Sequence, residues 1–168
     1  MKFTLIDKII SCNGKDKINA VKSLSLGEEY LSDHFPGYPV MPGVLMIEAM
    51  VQTASWLIRI LTDFSVSMFV MEEARNVKYG KFVVPGDQLE LSVDLKKIDK
   101  THASFKGKGM LNGEVAVSAQ FKVHFFNLSE LDSSLEYNDK LLLDNARKAF
   151  NDLDGPKVME CVDNEGVA

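Results

Sequence analysis

Residues 34–61 read HFPGYPVMPGVLMIEAMVQTASWLIRIL, and this stretch decides the fold. Its first ten residues contain three prolines and two glycines. Proline fixes its own φ and biases the preceding residue away from helix, so the segment is a stiff, turned approach with few alternatives. Pro42 suits the first turn of a helix, where its missing N–H costs nothing. A helix is therefore expected over Gly43–Thr62. Apolar residues (Val44, Leu45, Met46, Ile47, Met50, Val51, Ala54, Trp56, Leu57, Ile58 and Leu61) run nearly all round it, and such a helix should be buried. Glu48, Gln52, Ser55 and Arg59 interrupt it at spacings of four, three and four, which lines them along one stripe.

What surrounds this helix reads as strand. Leu89, Leu91, Val93 and Leu95 alternate with polar residues, and Val115 to Phe125 repeats the pattern at its odd positions. Phe105 to Leu111 lies between them, followed by Asn112-Gly113, a pair suited to a tight hairpin. Phe3–Ile10 and Ile18–Leu26 are a further expected pair around Asn13-Gly14-Lys15, and Val66–Met71 another strand. The expected architecture is α+β, a long central helix wrapped by an antiparallel sheet of five to six strands. At 168 residues the chain suits one domain, assigned to residues 1–128. Residues 129–168 are expected to be an acidic C-terminal extension, with a short helix over Tyr137–Phe150 and a loose tail from Asp154-Gly155-Pro156, rather than a second domain.

Composition bounds the function. The net charge of −5 is concentrated in residues 129–168, which hold ten acids against four bases, leaving the body near +1. A strongly basic face for nucleic acid is not expected. The N-terminal MKFTLIDKIISCNG breaks its apolar residues with Lys and Asp, unlike a signal peptide. No uncharged run of about 18 apolar residues occurs, so no membrane span is expected. Cys12 and Cys161 stand far apart without metal or redox spacing, and the expected location is the reducing cytoplasm.

The helix stripe and the rigid loop supply parts for chemistry. A carboxyl group among apolar neighbours loses hydration, which disfavours its charged form unless a partner compensates. Gln52, one turn on, is placed to hydrogen-bond Glu48. His34, held by the proline-rich loop, is the candidate base, whereas His102 and His124 read as structural or solvent-exposed. The helix start near Gly43 points unpaired N–H groups and a positive dipole end toward an oxygen that gains charge. Base, carboxyl and oxyanion donor together suit removal of a proton α to a carbonyl and expulsion of a β-hydroxyl. A solvated face or a buried hydrogen-bond network at a subunit contact is the structural alternative for the stripe. Asp33, His34 and Glu48 do not form a recognisable zinc set, and no metal is expected. No nucleophile elbow or phosphate-binding glycine loop is present. Lys106 and Lys108 read as solvated strand residues rather than Schiff-base lysines.

HFPGYPVMPGVLMIEAMVQ, with His34 and Glu48 fourteen apart, resembles the 3-hydroxyacyl-acyl-carrier-protein dehydratases of the hot-dog fold, the Z type of bacterial fatty-acid synthesis. A second match is independent: residues 74–95, ARNVKYGKFVVPGDQLELSVDL, resemble that family's strand pair around a turn, here Pro85-Gly86-Asp87. Phe3 to Lys8 is similar to the opening strand, so the resemblance covers roughly residues 3–126. It implies dehydration of a (3R)-3-hydroxyacyl-acyl-carrier-protein to the trans-2-enoyl form, with no cofactor. His34 matches the catalytic histidine and Glu48 the catalytic carboxylate, drawn from opposite subunits. Gly43 matches the glycine whose N–H binds the thioester carbonyl, and Gln52 the residue holding the carboxyl group. The partners implied are acyl carrier protein and a second copy of the chain, in a homodimer with shared active sites that is compatible with a trimer of dimers. Glutamate at position 48 resembles the Z type rather than the isomerising A type.

Arg75, Lys78 and Lys81 recur every three residues beside this segment. They are candidates for contact with an acidic carrier protein, with a solvated strand edge as the alternative. Two features depart from the family pattern: the sequence carries no Leu-Pro-His-Arg segment ahead of its first strand, and the acidic extension after Phe126 is additional. Two other functions are compatible with the fold, a hot-dog acyl thioesterase and a non-catalytic acyl-binding or assembly subunit. The histidine of the HFPG loop argues against the first, and retention of both His34 and Glu48 against the second.

Overall fold

The computed structural model describes residues 3–159, so Cys161 and the last three acids of the extension, Glu160, Asp163 and Glu165, lie outside the described residues. Six strands form one antiparallel sheet: β1 (Lys8–Cys12), β2 (Lys17–Ser23), β3 (Met68–Tyr79), β4 (Gln88–Ile98), β5 (His102–Leu111) and β6 (Glu114–Phe126). Their spatial order is β1-β2-β4-β5-β6-β3. Helix α1 (Gly43–Leu61) lies against the sheet, touching β2 through β6. This is the wrapped-helix arrangement of the hot-dog fold.

Turn chemistry sets the register. Asn112 and Gly113 both take positive φ, 51° and 81°, as a tight hairpin between β5 and β6 demands. Val84-Pro85-Gly86-Asp87 closes with Asp87 N–H donating to the Val84 carbonyl at 3.0 Å and Gly86 at φ 98°, which brings β4 alongside β2. On β4 the alternating Leu89, Leu91 and Val93 face inward and are almost fully buried.

Helix α1 is long and apolar enough to cross a membrane by length and composition, but 61% of its apolar window is buried within this domain, where it is the core helix. Met50, Ala54, Leu57 and Ile58 are sealed against the sheet. It is not covered on every side, as its composition predicts. Val44 is 67% exposed, and Leu45 and Ile60 are half-buried. The uncovered start lies beside the candidate site.

Three boundaries differ from the sequence reading. The first strand starts at Lys8 rather than Phe3, because the Leu5 N–H donates to Gln52 Oε1 (2.9 Å), which fastens the segment to the helix instead of to a neighbouring strand. Strand β3 runs to Tyr79, well past Met71, with irregular register after Met71 and after Arg75, where Asn76 takes φ 52°. The extension forms helix α2 (Glu136–Asp152), whose Phe150 packs on Trp56 and Phe64 at centroid distances of 5.8 and 5.3 Å. Nor is the described part of the expected tail loose. Leu153 is buried, its carbonyl accepts from Ile9 N–H (2.9 Å), and Asp154 pairs with Lys8 (2.8 Å) and Lys157 (2.7 Å).

Asp139 anchors the start of α2. Its carboxylate accepts from Ser67 Oγ (2.5 Å), Leu128 N–H (2.8 Å) and Ser129 N–H (2.9 Å). Burial pushes its pKa upward, yet these donors outweigh that and hold it down at about 2.

Candidate active site

His34 sits at the start of a tight hairpin-like loop. Phe35 and Tyr38 exchange backbone hydrogen bonds of 3.1 and 2.9 Å, Gly37 supplies the positive φ at the tip, and Val40 N–H donates to the His34 carbonyl at 2.9 Å. The His34 ring then returns the contact, with Nδ1 3.0 Å from the Val40 carbonyl oxygen. A carbonyl can only accept, so Nδ1 carries a proton, and in the neutral ring Nε2 keeps its lone pair. The ring is further held by stacking on Phe35 at 4.1 Å. It is half-buried at a cavity of about 540 Å³ that it shares with Gly43, Val44, Tyr79, Lys81 and Phe82.

Gly43 opens α1 at that cavity. No side chain caps the helix at Pro42, so the first N–H groups remain directed outward, as the dipole argument requires. Glycine lets the Tyr79 ring approach closely: a Cβ would stand 2.7 Å from it and displace the ring. Met41 N–H donates to the Val83 carbonyl (2.9 Å), which ties the loop to the segment after β3 and so brings Tyr79 and Phe82 to the site. Both aromatics are more than half exposed at the cavity mouth. Sequence reading passes over them. The signal available was an aromatic pair flanking Gly80-Lys81, but only strand pairing shows that it meets the His34 loop.

Glu48 is half-buried, and Gln52 Nε2 donates to its Oε1 at 3.0 Å. Gln52 is itself fixed by accepting from Leu5 N–H and donating to the Phe3 carbonyl (3.1 Å). Its NH₂ is thereby pointed at the carboxylate. Glu48 and Gln52 line a different cavity, of about 490 Å³, with Ser55, Arg59, Met68 and Phe69. Within one chain the structure thus brings together His34 with Gly43, and Glu48 with Gln52, but not the two pairs with each other.

The three basic candidates also separate. Lys81 lines the His34 cavity and pairs with Glu114. Arg75 pairs with Glu73 (2.5 Å) and borders a shallow depression with Lys96, Lys106 and Lys122, a basic cluster that the sequence reading did not assemble. Lys78 is exposed on β3, past the irregular register. His102 and His124 stack on each other at 4.6 Å, away from both cavities, with His102 Nε2 3.3 Å from Glu72.

A sheet-wrapped helix with a histidine loop at its start and a carboxylate one turn inside it defines a class, and comparison with known proteins agrees with it: the family model described as FabA-like domain matches residues 1–120. Among curated proteins, the "3-hydroxyacyl-[acyl-carrier-protein] dehydratase FabZ" of Pelotomaculum thermopropionicum is 38% identical over 118 residues, covering 70% of this chain and 84% of that protein. The same-named protein of Geobacter metallireducens is 34% identical over 131 residues, covering 77% and 87%. The chain belongs to the FabA-like family, among its FabZ-type dehydratases. Of solved structures, the dehydratase heterocomplex ApeI:P from Xenorhabdus doucetiae superposes with a TM-score of 0.65 at 20% identity, covering 80% of this chain and 90% of that one. A mutant of thioesterase PA1618 from Pseudomonas aeruginosa gives 0.54 at 10% identity, covering 71% and 81%. Both likenesses concern the fold.

Proposed function

We propose that this protein is a cytoplasmic 3-hydroxyacyl-[acyl-carrier-protein] dehydratase that converts (3R)-3-hydroxyacyl-acyl-carrier-protein to the trans-2-enoyl form in fatty-acid biosynthesis. The observation that carries this reading is the His34 tautomer: Nδ1–H is committed to Val40, so Nε2 is a free base beside the uncapped start of α1. Similarity to the FabZ proteins over most of their length supports it independently.

In this reading the thioester carbonyl oxygen accepts from the Gly43 N–H, which stabilises the charge that gathers there. His34 Nε2 takes the proton from Cα. The Cβ–O bond breaks as the Cα=Cβ bond forms, and the hydroxyl leaves as water with a proton from the Glu48 carboxyl group, held by Gln52. Imidazolium and carboxylate then exchange protons to reset the site. General acid–base help typically contributes about 10² to 10⁴ in rate, and an oxyanion donor roughly 3 to 4 kcal/mol.

The site is completed by a second chain. Strand β3 pairs with β6 on one side only, and its residues serve both cavities: Met68 and Phe69 near one end line the Glu48 cavity, Tyr79 at the other the His34 cavity. Antiparallel pairing of β3 with its own copy would set the Tyr79 end of one chain beside the Met68 end of the other. That joins each His34 to the partner subunit's carboxylate. Lys81, at the mouth, is the best placed of the three basic candidates to meet an acidic carrier protein.

The test is to supply 3-hydroxyacyl-carrier protein of graded chain length and follow the conjugated enoyl thioester by absorbance. Wild type should form it, and His34→Ala should not. Release of free thiol in place of enoyl product would make the protein a thioesterase, and no product at any length from folded protein would leave a binding or assembly role.

A further inference from the structure

The stripe Glu48, Gln52, Ser55, Arg59 has a role above only for its first two members. Ser55 satisfies itself by donating to the Val51 carbonyl (2.8 Å). Arg59 does not. Three turns beyond Glu48, and so roughly 16 Å along the helix axis at 1.5 Å per residue, it lines the same cavity of about 490 Å³. Its guanidinium is clamped between two aromatic rings, 4.9 Å from the Trp56 centroid and 4.2 Å from that of Phe69. Rings over its faces hold the plane in place while leaving the N–H donors at its edge unused.

One donor of that edge stands out. Nε is out of contact with water and has no hydrogen-bond partner among the described residues. Asp152, an acid in the same lining, is exposed and forms no ion pair with it among the described residues. Burial draws the Arg59 pKa down to about 10, so it is still a cation at neutral pH. A desolvated, unpaired cation is costly, and a methionine or leucine would fill the same volume without that cost. Between Glu48 and Arg59 the wall is largely apolar, from Val51, Trp56, Met68, Phe69, Met71 and Leu153. Thr4, Ser55 and Ser67 are polar members of it, and an alkyl chain lying along the apolar ones would end at the Arg59 guanidinium.

We infer that Arg59 recognises the substrate's distal end: the enzyme takes 3-hydroxyacyl thioesters whose acyl chain terminates in a carboxylate, which the fork of in-plane Arg59 N–H groups binds. The inference rests on the proposed dehydratase function and takes the Glu48 cavity as the site of the acyl chain. Planar, rigidly held guanidinium and carboxylate match as a bidentate pair.

The experiment compares carrier-protein-bound 3-hydroxyacyl chains of equal length ending in methyl or in carboxylate, over a series of lengths, for wild type, Arg59→Met and Arg59→Lys. At the length that spans the channel, wild type should favour the carboxylate-ended chain in kcat/KM. Arg59→Met should lower the ratio of the two values by roughly 10- to 100-fold, and Arg59→Lys by less, since it keeps charge without the fork. A purely structural Arg59 would lower both values alike and leave the ratio unmoved. A second arm uses calorimetry with an enoyl-pantetheine product ending in carboxylate, which needs no turnover. Wild type preferring the methyl-ended chain at every length, with dehydration intact, overturns the inference and leaves the proposed function standing. Should neither chain be dehydrated while calorimetry still shows binding that Arg59→Met abolishes, the anion site stands and the dehydratase reading falls.

Discussion

At His34 the proposed chemistry rests on a single hydrogen bond, in which the Val40 carbonyl accepts from Nδ1–H and leaves the Nε2 lone pair of the neutral ring free. His34→Ala should reduce turnover by about 10² to 10⁴ while the circular dichroism spectrum is preserved, as expected of a half-buried loop side chain with one local partner. Gly43→Ala probes the neighbouring requirement. The added methyl meets the outer edge of the Tyr79 ring, which can swing aside, so stability should change by less than about 1 kcal/mol. The ring moves at the cavity wall, however, and kcat/KM should fall on the order of ten- to a hundredfold; an unchanged value would detach Tyr79 from the site. The pairing of Glu48 with Gln52 and of His34 with Gly43 was legible in sequence because all four belong to one continuous stretch whose spacing is fixed by proline geometry and helical period. Tyr79 and Phe82 were not. They reach the loop through contacts between segments about forty residues apart, the Met41–Val83 hydrogen bond and the edge contact of Phe82 with the Tyr38 ring.

Among the elements, α1, the strands β4 to β6 and the helix of the extension announce themselves by period, whereas the docking of α2 does not. Helix α2 fully buries Ala146 alone of its apolar residues, and what fixes its start is a buried carboxylate, a residue type that sequence statistics assign to the surface. Replacing Asp139 by Ala leaves Ser67 Oγ and two N–H groups without their acceptor and should cost about 2 to 4 kcal/mol, measured as a shift in denaturant midpoint. Its pH dependence has a defined sign. The folded pKa of about 2 lies below the ordinary carboxylate value near 4. Ionised Asp139 therefore adds stability above pH ~4, and this is lost as pH falls toward 2. The gap between wild type and Asp139→Asn should be largest near neutrality and close at low pH. The first strand shows the opposite error: Phe3–Ile10 alternates like a strand, but its first half is captured by Gln52, a tertiary bond that overrides local pattern.

For the whole molecule, the separation of His34 from Glu48 is the central fact. Each lines its own cavity, and the free edge of β3 runs past both. The unusually apolar α1 hinted at covering beyond one chain, and its exposed Val44 is in keeping with that. The direct test is complementation: His34→Ala and Glu48→Gln proteins are purified, each shown to be inactive, then mixed under conditions where subunit exchange is verified by native mass spectrometry. A site shared between chains predicts that the mixture recovers about a quarter of wild-type enoyl formation, because half of the dimers are mixed and each of those holds one intact site of two. No recovery in a mixture proven to contain mixed dimers would contradict it.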